Sequence, residues 1–235
     1  MDASHHIEKR SLEVQAADAI RSRIISGDMA AGSRITEIRL SEEMNLSRGT
    51  IRSALTRLVG EGLVEQAPYT GWSVVALTAR GAWELYTLRS SLETLAARLA
   101  AANLKEQDSG RLESALQKLQ AAAAAGKLDT VADADFALHK EIISISGHAR
   151  LKQQYLALEH QIRMYIAPSD ALLKSADEVV SQHAPLVAAI LARDPEKAAS
   201  IAAAHNLIEG RALVDHFKHI NPSEASLELS FGNGL

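Results

Sequence analysis

From Leu12 to Ile25 apolar residues recur at the spacing of one helical face (Val14, Ala17, Ile20, Ile24, Ile25), and the run stops at Ser26-Gly27-Asp28. A second, short helix is predicted over Glu37–Met44 with Thr36 as its cap, followed by the turn Asn45-Leu46-Ser47. Asn tolerates the left-handed backbone that so tight a turn requires. Ser47 then caps a third helix from Arg48 to Gly60, with Ile51, Ala54, Leu55, Leu58 and Val59 as its inner face. Beyond Gly62 the period drops to two. Leu63-Val64-Glu65-Gln66 and Trp72-Ser73-Val74-Val75 read as strands, joined through the turn formers Ala67-Pro68-Tyr69-Thr70-Gly71. Three helices and a hairpin in this order predict a winged helix-turn-helix; another small α+β domain is the general alternative.

From Thr78 onward strand signals vanish. Helical stretches are predicted at 79–103, 107–125, 129–147, 149–166, 175–192 and 195–218. Ser175-Ala176-Asp177-Glu178 has the form of a capping box, and Asp194-Pro195 sets a cap before a first-turn proline. The expected class is mainly α: a winged domain at 11–77, an all-α helical bundle at 78–220, and a polar tail at 221–235 that should be a loose appendage. Leu77-Thr78-Ala79 contains no flexible linker, so movement in one domain should be felt by the other.

Composition narrows the chemistry more than the fold. The 235 residues include no cysteine, which excludes a disulfide framework, a thiolate metal site and a cysteine nucleophile. Met1 to Arg10 lacks the apolar core of a signal peptide, and the alanine run Ala121–Ala125 is far short of the ~20 residues of a membrane span. A soluble, cytoplasmic protein with no membrane partner is expected. Residues 1–78 hold nine Lys or Arg against ten Asp or Glu, so any nucleic-acid footprint must be local. The third helix supplies one. No acid stands between Arg48 and Glu61, and its outward arc is Gly49, Thr50, Arg52, Ser53, Thr56 and Arg57, with Arg48 free to swing outward from the first turn. Arginines grip guanine edges or phosphates, and small residues let a helix enter the major groove closely. An ordinary solvated face is the alternative. In the second half, Asp135 and His139 fall about 40° apart on one helical face. Their spacing alone is a weak signal. His183 and His205 sit in otherwise apolar stretches, where imidazoles need partners, and one divalent cation would satisfy three imidazoles and a carboxylate together.

The run Arg34-Ile35-Thr36-Glu37-Ile38-Arg39-Leu40-Ser41-Glu42, followed by Leu46-Ser47-Arg48-Gly49-Thr50-Ile51-Arg52-Ser53-Ala54-Leu55, resembles the winged helix of GntR-type regulators of the FadR branch. The family's Ser-Arg-x-x-x-Arg core falls on Ser47, Arg48 and Arg52, and its wing-tip glycine on Gly71. The resemblance implies that Arg48, Thr50 and Arg52 contact double-stranded operator DNA from the major groove while the Gly71 backbone approaches the minor groove. Gly49-Thr50 replaces a common Thr-Pro or Thr-Thr, and Arg39 a common Glu, which leaves the operator sequence open.

Leu85-Tyr86-x-x-Arg89-x-x-Leu92-Glu93, Asp135-x-x-x-His139 leading to Ser146-Gly147, and His183 with His205 resemble the FCD effector domain of the same regulators. This implies a divalent metal, commonly zinc or nickel, on Asp135, His139, His183 and His205, with a small organic acid effector beside it. His148 stands for a usual Asn and Leu138 for a usual aromatic. Pro185 must kink its helix or lie in its first turn. Arg89 is the leading carboxylate partner, against the alternative of a salt bridge to Glu93 at i,i+4, and Arg163 is a weaker candidate. Together these features imply a homodimeric, metabolite-responsive transcription regulator without catalytic residues, a repressor released by its effector. A metal-dependent hydrolase, for which no His-Glu-x-x-His motif exists, and an architectural DNA-binding protein without effector remain as alternatives.

Overall fold

The computed structural model describes residues 10–67, 71–173 and 175–231, and the chain divides into two units, Met1–Ala76 and Leu77–Leu235. In the first unit α1 (Leu12–Ile25), α2 (Glu37–Met44) and α3 (Arg48–Gly60) keep the bounds expected from periodicity. The stops are chemical. Asn45 takes the left-handed conformation (φ 51°), and Ser47 Oγ accepts the Thr50 backbone N–H at 3.1 Å to start α3. Thr36 occupies the cap position of α2, but its side chain makes no capping bond. Val59, expected inside, is 40% exposed, because the packed stripe of α3 ends with Leu58.

The wing is a three-stranded antiparallel sheet ordered β1 (Arg34–Ile35), β3 (Gly71–Val74), β2 (Val64–Ala67). Two residues are too few to show a period, so β1 escaped sequence patterning. It pairs Arg34 with Ser73 and Ile35 with Trp72, which makes β3 central and buries Trp72 and Val74. The predicted turn residues Pro68, Tyr69 and Thr70 lie outside the described residues.

The second unit is a helical bundle of α4 (Ala79–Asn103), α5 (Glu106–Ala125), α6 (Leu128–Ile145), α7 (Ala149–Ala157), α8 (Glu159–Ala171), α9 (Ala176–Leu191) and α10 (Pro195–Ile220). The stretch expected as one helix over 149–166 is two, parted at Leu158, and the second continues past Pro168 to Ala171. Asp194 caps α10 through the Lys197 N–H, whereas Ser175 starts α9 without a side-chain bond, so that capping box is not closed. Pro185 lies in the interior of α9. The long helices α4 and α10 pack along each other, and each carries buried alanines (Ala96, Ala97, Ala100 and Ala101; Ala198, Ala199 and Ala202) that favour helix and permit close approach.

The tail is not a loose appendage over its described length. After a 3₁₀ turn at Pro222–Glu224, Glu224 Oε2 accepts the Ala79 N–H at 2.9 Å, and Trp83 Nε1 donates to the Ser230 carbonyl at 2.7 Å. The Arg211 guanidinium lies 5.7 Å from the Phe231 ring centre. A carboxylate at a helix start meets unpaired N–H groups and the positive end of the helix dipole, a reason for docking that polarity patterns do not reveal. Beside it, the Thr78 N–H donates to Tyr165 Oη at 3.3 Å. A Cβ on Gly81 would lie 2.4 Å from that oxygen, so the contact requires glycine. No helix among the described residues is long and apolar enough to cross a membrane.

Candidate functional site

A groove of about 760 Å³ in the N-terminal unit is lined by residues that include Arg34, Glu37, Arg48, Arg52, Gly71 and Trp72. Arg48 and Arg52 project from successive turns of α3 with side chains 60% and 59% exposed. Gly71 adopts φ +89° at the start of β3. Thr50 lies outside the groove lining, its Oγ1 hydrogen-bonded to Ser47 Oγ at 2.9 Å. The arginines are not bare. Arg52 donates Nε to Glu37 Oε1 at 3.0 Å and Nη2 to Oε2 at 2.9 Å, while Arg48 Nη2 stands 3.5 Å from the same Oε2. Trp72 Nε1 also donates to Glu37 Oε1, at 2.9 Å. The hydrogen bond from Arg52, reinforced by Trp72 and Arg48, holds the Glu37 carboxyl down at about 2.

In the helical unit the structure brings Asp135 and His139 of α6, His183 of α9 and His205 of α10 together. The three imidazoles offer ligand atoms within 4.8 Å of one another. Asp135 Oδ1 lies 2.6 Å from His183 Nε2 and 3.6 Å from His139 Nε2. All four side chains are buried. The outer bonds decide what the inner atoms can do. His139 Nδ1 is 2.9 Å from Glu93 Oε2, and His183 Nδ1 is 2.7 Å from the Val179 carbonyl. Both partners are pure acceptors, so each Nδ1 carries a proton. His183 Nε2 faces the Asp135 carboxylate as well, and although burial lowers the His183 pKa, that charge outweighs it and pushes it up to about 9. Yet the two Nε2 atoms stand 3.0 Å apart, and His205 Nε2 has no hydrogen-bond partner. Three imidazole nitrogens and a carboxylate gathered around one point are held together by positive charge, either a proton on His183 or a metal ion among them. Three imidazoles beside a carboxylate are a donor set that could hold a divalent metal ion. Burial opposes charge on Asp135, but the imidazoles outweigh it and keep its carboxyl below the ordinary range. Burial lowers the His205 pKa, and the neighbouring imidazoles add to this.

Arg89, on α4, is fully buried and forms the salt bridge to Glu93. Its Nε donates to Glu93 Oε1 at 3.1 Å, whereas Nη1 and Nη2 have no partner. Arg163 instead forms an ion pair with the exposed Asp133. Glu93 is the hub: Oε1 accepts Arg89 Nε and, at 2.8 Å, the Tyr155 hydroxyl, and Oε2 accepts His139 Nδ1 and, at 2.8 Å, Asn206 Nδ2. Asp170 and Glu209 complete the polar interior. Burial, with the Asp135 charge nearby, pushes both carboxyls up, and Asp170 Oδ2 is unpartnered. Sequence reading missed Tyr155, Asn206, Asp170 and Glu209. A signal existed only for Glu209, which repeats four residues after His205 the acid–imidazole spacing of Asp135 and His139.

Comparison with known proteins places both halves. The family described as "Bacterial regulatory proteins, gntR family" matches residues 12–74, and the FCD domain matches residues 84–207. The "Probable D-xylose utilization operon transcriptional repressor" of Paenarthrobacter nicotinovorans is 26% identical over 84% of this chain and 87% of its own. The gluconate operon transcriptional repressor of Bacillus licheniformis is 27% identical over 80% and 79%. Among solved structures, Escherichia coli McbR/YncC superposes with a TM-score of 0.70 at 24% identity, covering 88% of this chain and 99% of that one. Its likeness establishes the fold. A winged helix-turn-helix followed by this helical bundle, each matched by its own family, makes the chain a member of the GntR family of bacterial transcription regulators that carries an FCD effector domain.

Proposed function

We propose that the chain is a repressor of the FadR branch, a homodimer acting in the cytoplasm and releasing its operator when a small organic acid binds in the helical unit. Arg48, Thr50, Arg52 and the Gly71 backbone would contact the DNA. Asp135, His139, His183 and His205 would hold zinc or nickel, which supplies an open coordination position for a ligand oxygen. The observation that carries this reading is Arg89: a buried cation with two unpartnered N–H groups in the same interior as the imidazole cluster. A carboxylate is the group whose two oxygens match that fork. Nothing in the arrangement needs to turn over; the effector acts by its differential affinity for two arrangements of the protein.

The test selects bound duplexes from fragmented genomic DNA, then challenges the complexes with small carboxylates, gluconate among them. Release by one of them is expected, and indifference to sequence under every condition would end the proposal. In Arg89→Met, Glu93 loses its cation but keeps Tyr155, His139 and Asn206 as donors, so the unfolding midpoint should fall while circular dichroism still shows a folded chain, which is checked first. Ligand-driven release should fall at least tenfold while ligand-free operator affinity stays within twofold. Equal loss of both would make Arg89 structural.

The second copy would meet this one along α4. Leu88, Leu92, Leu95 and Leu99 follow the four-three-four spacing of a coiled-coil seam, and Leu88 and Leu95 are 46% and 39% exposed. A twofold axis would pair this stripe with itself and match a pseudo-palindromic operator. Leu88→Glu with Leu95→Glu should convert dimer to monomer in light scattering; an unchanged mass would move the interface elsewhere.

A further inference from the structure

Arginine has two hydrogen-bonding forks. The side fork uses Nε and Nη2, and the end fork uses Nη1 and Nη2. In Arg52 the side fork is consumed by the two oxygens of Glu37. Among the described residues Nη1 has no protein partner, and the outer proton of Nη2 remains, so the end fork is the edge left to bind. That fork matches the paired acceptors O6 and N7 of a guanine. Held at its other edge by an acid that is itself 13% exposed, the guanidinium cannot turn freely to meet a phosphate instead. The same acid bonds the wing through Trp72 Nε1 and lies beside Arg48. One carboxylate therefore sets the pose of an α3 arginine relative to both the next turn of the helix and the central strand of the sheet.

We infer that Glu37 is a specificity-determining residue: by occupying the side fork of Arg52 it restricts that arginine to end-on reading of a guanine and offsets a charge that would otherwise bind any phosphate. This rests on the proposed role of α3 as the recognition helix. It assigns Glu37 a part in sequence discrimination although the residue is acidic and need not touch DNA.

The experiment selects from a random duplex pool with the wild-type chain, Glu37→Gln, Arg52→Ala and Trp72→Phe, followed by titrations of the selected and a scrambled duplex at several salt concentrations. Gln keeps the shape and an acceptor for Trp72 but loses the charge. Wild type should enrich a guanine that Arg52→Ala erases. Glu37→Gln should weaken the preference at that same position roughly tenfold, within the range of one good bidentate contact. Its affinity for scrambled duplex should rise, with the salt slope steeper by about 0.9 for the one extra phosphate neutralised. Trp72→Phe leaves the Arg52–Glu37 fork intact and should keep the guanine, which separates the acid's action on Arg52 from a general loosening of the wing. A Glu37→Gln profile matching wild type while Arg52→Ala loses the guanine overturns the inference and spares the recognition-helix reading. An Arg52→Ala profile equal to wild type overturns both.

Discussion

Glu93→Ala is expected to cost about 3–5 kcal/mol of folding stability, the range for removing one partner of a buried ion pair. The site explains so large a value. Glu93 is 3% exposed and Arg89 is fully buried, so the guanidinium would keep its charge in the interior with no anion against it. Tyr155, His139 and Asn206 would lose their common acceptor in the same step. Replacement by Gln preserves volume and one acceptor oxygen, and should be milder than Ala. Urea titration followed by circular dichroism reads the difference as a lower midpoint. A loss below about 1 kcal/mol for Ala would mean that water reaches Arg89 and that the hub is not what holds this interior together.

The second large effect concerns the imidazole cluster. The His183→Ala, His205→Ala double variant should purify without bound metal, whereas wild type carrying no affinity tag should hold close to one ion per chain by elemental analysis. Wild type stripped with a chelator should gain thermal stability when zinc or nickel is restored. The gain is about 2.7 kcal/mol at a free ion concentration one hundred times Kd. The double variant should show no such gain. Stoichiometric metal in the double variant would remove these residues from the site, and a metal-free wild type insensitive to added ions would leave the histidines as core residues held by hydrogen bonds alone.

What the chain discloses in advance follows the range of the interaction. The end of α2 and the start of α3 are readable because Asn45 stops one helix and Ser47 starts the next by contacts a few residues long. The Asp135–His139 pair is readable as helical spacing, and His183 and His205 as polar residues out of place among apolar ones. Glu37 is different. Counted locally it is one acid at the start of α2, but its partners lie 15 and 35 residues away, and the arginines taken as free are joined through it. The same holds for Glu93, whose bonds to Tyr155 and Asn206 span 62 and 113 residues. For Arg89 the sequence poses a carboxylate partner against a salt bridge to Glu93; the salt bridge forms through Nε and leaves Nη1 and Nη2 without a hydrogen-bond partner, so it does not exclude the other. The break at Leu158 interrupts a stretch whose helical propensity continues on either side, so only tertiary packing could mark it.

The grip of Tyr165 on Thr78 carries a mechanical corollary. Tyr165 and Asp170 stand five residues apart on α8: one holds the backbone two residues beyond Ala76, and the other ends in an unpartnered oxygen within electrostatic reach of Asp135 and His183. Between them stands Pro168, whose missing N–H removes one backbone bond of the helix, so the short segment joining the two side chains is also where α8 bends most easily. The peptide leaving the N-terminal unit is thus tied to the same helix that lends an acid to the polar interior, and Tyr165→Phe would cut that tie without altering a single atom at the imidazoles.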